Sequence, residues 1–367
     1  MRLTSIVLRL IEEPLNEPFV THLETVKNRR AIIVEARDGE GTVGYGECDP
    51  FSSPWYTEET IETNRHMLKE FLIPPLLGRT MADPSAVGRI WSGIRGNRMA
   101  KSGLSQAIWD LWAKRKGVYL GHLFGGEKQM VTAGAVIATE SAERAVKQIE
   151  RLLEAGYRSF KVKISRRNDR RLLKAIRSHF PQLDLSADAN AAYSPDDLDR
   201  LKNLDEFRLR LIEQPLAPGD LLDHAYLQQK LSTPICLDES IRGWQSVRAA
   251  AALGSCQAVN VKMARVGGWT EAARIQQWCK IEGIPIRCGG MVEFGVAKAH
   301  NIALSTLAGF TLPGDLYGSS HYWAQDIVCP EIRVNGGSIR VPSNPGIGFA
   351  VDRQALEALT LHRLNFR

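Results

Sequence analysis

The run FKVKI at 160–164 is followed by LDLSADAN at 183–190, LRLIEQP at 209–215, PICLDES at 234–240 and AVNVKM at 258–263. Each is a short apolar or β-branched stretch with an ionisable residue at or just past its end: Lys163, Asp188, Glu213, Asp238 and Lys262. The intervals between them are 25, 25, 25 and 24 residues. A strand, a loop and a helix together occupy roughly 25–30 residues, so the spacing is that of a repeating βα unit. Consecutive units of a parallel barrel put their strand ends on one rim. Three carboxylates flanked by two lysines on that rim describe a divalent cation between two proton-transfer groups. That reads as an enzyme.

The alternation extends in both directions. Strands are predicted to begin near Thr132, Ser159, Asp184, Arg210, Pro234, Ala258, Pro285 and Phe310. Between them lie amphipathic segments such as Arg171–Phe180, with Leu172, Leu173, Ile176 and Phe180 on one face, and Thr270–Ile281. Ser194 followed by Pro195, Asp196 and Asp197 marks a helix start. Eight strands alternating with helices predict an α/β fold, a (β/α)8-type (TIM-like) barrel over 126–324, with its site at the C-terminal strand ends. Residues 1–50 read instead as antiparallel strands, Leu3–Ile11, Ala31–Ala36 and Thr42–Glu47, the last two joined through Asp38-Gly39-Glu40-Gly41. A helix over Ala100–Lys116 follows, with Leu104, Ile108, Leu111 and Trp112 as its stripe and Gly117 as its C-cap. Strands and then helices make 1–125 an α+β capping domain. The tail, 325–367, carries hairpin-like segments, Ile332–Val334 and Ser338–Val341, around Asn335-Gly336-Gly337.

Bulk properties narrow the class. The chain has 367 residues, 44% apolar and 24% charged, enough for a barrel plus a smaller domain. No apolar run of about 18 residues exists for a membrane span, and MRLTSIVLRLIEE reads as a strand rather than a signal peptide, so a cytoplasmic location is expected. The six cysteines are dispersed and never form a CxxC pair, which favours buried thiols over disulfides or zinc. A net charge of +6 is spread along amphipathic helices with no nucleic-acid motif, so it reads first as a solvated surface and second as a mild attraction for a small anionic substrate.

The donor set specifies the chemistry. Asp188, Glu213 and Asp238 offer only oxygen, which suits Mg²⁺ or Mn²⁺ with positions left for a substrate carboxylate. Taken singly, Asp188 and Asp238 read as helix N-caps and Glu213 as a strand end; in phase with two lysines they read as a metal site. Lys161 and Lys163 alternate along one strand, so both point the same way, towards the barrel interior. A lysine base working near neutral pH must drop about 3 units from its usual 10.4, and a neighbouring ammonium, a divalent cation and a partly dry pocket all push it down.

The set KxK (161–163), DAN (188–190), EQP (213–215), DES (238–240), NVK (260–262) and GGM (289–291) resembles the enolase superfamily, in its muconate-lactonising-type branch. The stretches Phe51–Thr60, Gly96–Lys101, Gly289–Gly295 and Phe310–Asp315 are similar to those of the o-succinylbenzoate synthases of menaquinone biosynthesis, in the subgroup that includes N-succinylamino-acid racemases. The resemblance implies that Asp188, Glu213 and Asp238 bind Mg²⁺, that Lys163 removes the proton α to a substrate carboxylate, and that Lys262 stabilises charge or delivers a proton from the opposite face. It implies that Lys161 and Asn190 contact the carboxylate or tune Lys163, and that the Gly290–Met291 backbone helps hold the succinyl end. The cap would close over the barrel through Pro14–Thr25, with Phe19, and Asp49–Tyr56, with Phe51, Trp55 and Tyr56. The 325–367 tail would return to the cap, and the protein would be a homo-oligomer. Two positions depart from the pattern: Met263, where relatives usually carry proline, and Ala135, where some carry serine.

Overall fold

A computed structural model describes all residues, 1–367. Strands β1 (Leu3–Val20), β2 (Thr25–Asp38) and β3 (Val43–Cys48) form an antiparallel sheet. The helix Arg98–Lys116 packs against it, two residues longer at its start than its apolar stripe predicts. It seats unusually closely on β3. A Cβ on Gly44 or Gly46 would collide with the helix backbone at Ala107, and one on Gly103 would collide with Cys48, so glycine at these three positions is a packing requirement.

A short β4 (Met130–Thr132) leads into the parallel sheet of β5 (Gly134–Ile137), β6 (Ser159–Lys163), β7 (Asp184–Asp188), β8 (Ile212–Glu213), β9 (Ile235–Leu237), β10 (Ala258–Val261) and β11 (Ile286–Cys288), arranged in chain order. The eighth strand predicted near Phe310 is not a regular strand. Pro313 and Gly314 interrupt it, yet the segment still closes the ring. Leu312 N donates to Ile286 O (3.2 Å) and Asp315 N to Cys288 O (2.8 Å) on one side, and Gly134 N donates to Gly314 O (2.7 Å) on the other. The helices Asp169–His179 and Trp269–Ile281 bury the faces their sequences mark, including Leu172, Leu173 and Ile176 in the first.

Beyond the ring, β12 (Val328–Cys329) pairs with β14 (Ala350–Val351), and β13 (Ser338–Arg340) pairs with β4. The hairpin read between 332–334 and 338–341 is therefore corrected: only Asn335 and Ser338 bridge, and β13 finds its partner in β4 instead. The last strand, β15 (Thr360–Phe366), pairs antiparallel with β1 and completes a four-stranded sheet.

Among the contacts that fasten cap to barrel, two are made by the buried charged groups of Glu47 and Arg29. The buried Glu47 carboxylate accepts from Phe294 N and Ala297 N (both 2.9 Å), capping the barrel helix Gly295–Ser305 from outside its own domain. Arg29 fastens a barrel loop in the opposite sense, by donating to the Met291 and Val292 carbonyls. The segment Pro14–Thr25, expected as a loop, is mostly strand. β1 runs to Val20 with extra residues between the pairs Pro14–Asn28 and Phe19–Val26, and that irregular hairpin end overhangs the strand ends.

Candidate active site

Parallel pairing sets the rim. Lys163 lies beside Asp188, Asp188 beside Glu213, and Glu213 beside Cys236, which places Asp238 two residues further along on the same face. Lys262 follows β10. Since β6 and β10 are four positions apart in a ring of eight, Lys163 and Lys262 approach the mouth from opposite sides.

Lys161 points inward, 3% exposed, and its ammonium is shared among Glu213 (2.9 and 3.0 Å), Asp315 (2.8 Å) and Asp188 (3.1 Å). Burial alone would lower its pKa, but Asp315, Glu213 and Asp188 outweigh that and hold it charged. Lys163 Nζ donates to Asp188 Oδ2 (2.8 Å) and Asn190 Oδ1 (2.6 Å). Asn190 adopts φ +42°, stabilised by its own N–H on Asp188 Oδ1 (3.0 Å) and its amide on Glu239 (2.8 Å). Gln214, at φ +38°, accepts the Asp238 and Ser240 N–H groups on its side-chain oxygen. These non-glycine left-handed residues turn the chain sharply off the strand ends, which fixes the adjacent carboxylates.

On the far side, Lys262 Nζ lies 3.0 Å from Asp238 Oδ2 and donates to the Tyr56 hydroxyl (2.9 Å). Arg265 donates to the same hydroxyl (2.6 Å) and pairs with Asp238. Burial would lower the Lys262 pKa, but Asp238 foremost raises it well above the ordinary value. The Asp238 carboxyl, which burial would push up, is held down at about 2 by Arg265 and Lys262. Gly289 leaves room for this corner, since a Cβ there would crowd the Asn260 and Lys262 side chains.

The sites expected from sequence converge. Phe19, Tyr56, Lys161, Lys163, Asn190, Lys262, Gly290 and Met291 all line one pocket. Asp188, Glu213 and Asp238 lie beneath it, each no more than 1% exposed. Phe51 and Trp55, both from the cap, pack at 4.4 Å on the same wall of the pocket, so Trp55 covers the site. Sequence reasoning gave no role to Asp315, Arg287, Asn260, Glu239 or Arg265. Arg287 joins Glu213 to Asp315, and Asn260 donates to Glu213 (2.9 Å). Strand alternation could have found two of them: Asn260 precedes Lys262 by two, as Lys161 precedes Lys163, and Arg287 precedes Gly289 by two.

The three strand-end carboxylates do not close on a single point as arranged; ammonium and guanidinium groups lie between them. The chemistry of the donors nevertheless fits a hard dication. The Glu213 carboxyl is pushed up to about 7 by burial and by the Asp188 charge beside it, and Glu239 likewise to about 7, by burial and Asp238. Glu239 Oε2 and Asn260 Oδ1 are buried without a hydrogen-bond partner. A cation would relieve both kinds of strain.

Two family models match this chain: the mandelate racemase/muconate lactonizing enzyme N-terminal domain over residues 5–125, and the enolase C-terminal domain-like family over 144–355. The chain belongs to the enolase superfamily. It is 49% identical to an o-succinylbenzoate synthase from Geobacillus stearothermophilus, over 97% of this chain and 95% of that protein. It is 44% identical to an N-succinylamino acid racemase from Thermus thermophilus, over 98% of each. The crystal structure of an enolase-superfamily member from Listeria innocua superposes with a TM-score of 0.96 at 39% identity, covering 100% of this chain and 99% of that one.

Proposed function

We propose that this protein is a Mg²⁺-dependent o-succinylbenzoate synthase, which dehydrates 2-succinyl-6-hydroxy-2,4-cyclohexadiene-1-carboxylate for menaquinone biosynthesis. The observation that carries the reading is the pair Lys163 and Lys262, set on opposite strands above Asp188, Glu213 and Asp238 in one pocket walled by aromatics. The synthase relatives, at 49% identity, support the same reaction.

Asp188, Glu213 and Asp238 would hold Mg²⁺ (or Mn²⁺), which supplies positive charge for a substrate carboxylate as its α-proton leaves. Lys163 takes that proton on Nζ. The same ammonium then gives a proton to the departing 6-hydroxyl, the C–O bond breaks, water leaves and the ring becomes aromatic. Lys161, kept charged by its three carboxylates, ties Asp188, Glu213 and Asp315 together beneath Lys163. Lys262 keeps its charge throughout and faces the ring from the other side. Phe19 and Tyr56, brought by the cap, exclude water from the mouth.

The cyclohexadiene substrate and N-succinylamino acids are both dicarboxylates. A second activity, racemisation of N-succinylamino acids, is favoured by the opposed lysines, since Lys262 could return a proton to the face Lys163 does not reach.

The test is ultraviolet-monitored loss of the cyclohexadiene substrate by the intact protein with Mg²⁺ and with excess EDTA. Mg²⁺-dependent turnover supports the reading, and no turnover by metal-loaded protein overturns it.

A further inference from the structure

Arg29, on β2, is an unusual cation outside the site. It is 1% exposed and makes no ion pair, and all five of its hydrogen bonds go to backbone carbonyls. One acceptor is its neighbour Arg30 (2.7 Å). The other four belong to two loops from different domains: Asp49 and Pro50 (2.6 Å to the latter) in the cap, and Met291 and Val292 (both 3.2 Å) in the barrel. Its guanidinium also lies over the Phe51 ring at 4.5 Å.

Both loops are pocket walls. Phe51, Trp55 and Tyr56 follow directly from the first, and Gly290–Glu293 make up the second. The barrel loop is held in an unfavourable form. Val292, a β-branched residue, sits at φ +56°, and Glu293 turns back to accept the Met291 N–H at 2.6 Å. Burial lowers the Arg29 pKa, opposed by the nearby Asp49, Glu47 and Glu293 carboxylates, so the charge is retained at a cost. A group that only filled the interface would not need that cost. What a guanidinium alone offers is a planar fork of five donors able to bridge both loops at once, which no ammonium can do.

We propose that Arg29 is a positioning residue that sets the separation of the 49–56 and 289–293 loops, and thereby the width of the pocket where the substrate lies beyond its reacting carbon. Lys163 and the strand-end carboxylates are anchored independently of it. Lys262, although it also donates to Tyr56, is held by Asp238 at 3.0 Å. Loss of Arg29 therefore acts on substrate binding and leaves the proton transfers nearly unchanged. The kinetic part rests on the synthase reading; the mechanical part does not.

The experiment compares wild type with Arg29→Met and, as the milder replacement, Arg29→Lys, all as full-length protein. Hydrogen exchange by mass spectrometry follows peptides covering 49–56 and 289–293, with the helix at 169–179 as reference. Exchange should accelerate about tenfold in both loops and stay unchanged in the reference helix. With the cyclohexadiene substrate, KM should rise about tenfold while kcat changes less than about threefold, with the lysine variant in between. Wild-type exchange rates in both loops would overturn the proposal. So would a fall in kcat at constant KM, the pattern of a smaller folded fraction. If wild type does not turn the substrate over, the synthase reading fails and the exchange rates alone decide the role of Arg29.

Discussion

The Tyr56 hydroxyl, carried by the cap, accepts a hydrogen bond from Lys262 Nζ at 2.9 Å, linking positions 206 residues apart in sequence. The ammonium also lies 4.5 Å from the centre of that ring. Domain closure thus adds a contact from the cap to a lysine that Asp238 already holds at 3.0 Å. Tyr56→Phe keeps the ring and loses the acceptor shared by Lys262 and Arg265. Because a hydrogen bond to a charged group is worth about 1.5–3 kcal/mol, kcat for dehydration should fall about tenfold or more, with KM changed less. Steady-state kinetics of the variant check this.

Metal binding should be visible without turnover. Mg²⁺ at 100 times its Kd should stabilise the fold by about 2.7 kcal/mol, measured as a rise in Tm that EDTA reverses. Asp238→Asn or Glu213→Gln should abolish the rise. A rise of equal size in both variants would remove these carboxylates from the ligand set.

The opposed lysines predict a face-by-face result. In D2O, wild type should exchange the α-proton of both enantiomers of an N-succinylamino acid. Lys163→Ala should lose exchange with one enantiomer by at least about a thousandfold and keep it with the other, and Lys262→Ala should show the reverse. Proton NMR of each enantiomer reads this directly.

His300 predicts a pH dependence of stability away from the site. Completely buried, it accepts from Trp269 Nε1 on Nδ1 (2.9 Å) and therefore carries its proton on Nε2, donated to Tyr45 O (2.9 Å). Burial lowers its pKa from 6.5 to about 4. Between those values the unfolded chain binds the extra proton, so the neutral imidazole's contribution is complete above pH 6.5 and is lost as pH falls towards 4. The loss is of order 3 kcal/mol. His300→Gln should be less stable than wild type at pH 7, and the gap should shrink on acidification. Denaturant unfolding at several pH values measures it.

Much of this was legible in the sequence because the barrel repeats. A 25-residue period and period-two alternation were enough to bring Lys163, Asp188 and Glu213 side by side. Asp315 was not legible as a partner of Lys161, because the segment that carries it is broken by Pro313 and Gly314 and has no strand pattern to count along. Arg29 was hidden for a different reason. In NRRAIIV it looks like one of a solvated pair, and only the fold shows that Arg29 turns inward, fully buried, while Arg30 stays partly exposed with Glu12. Long-range packing, not local pattern, decides such residues.

The central claim is that Lys163 is the base, and Lys163→Ala tests it most directly. Dehydration should be followed by ultraviolet absorbance for wild type and variant with saturating Mg²⁺, and binding of o-succinylbenzoate measured by calorimetry on the same samples. The account predicts a fall in kcat of at least about a thousandfold with product affinity within about threefold of wild type. Turnover near the wild-type rate, with product still bound, would contradict it and take the proton from another group.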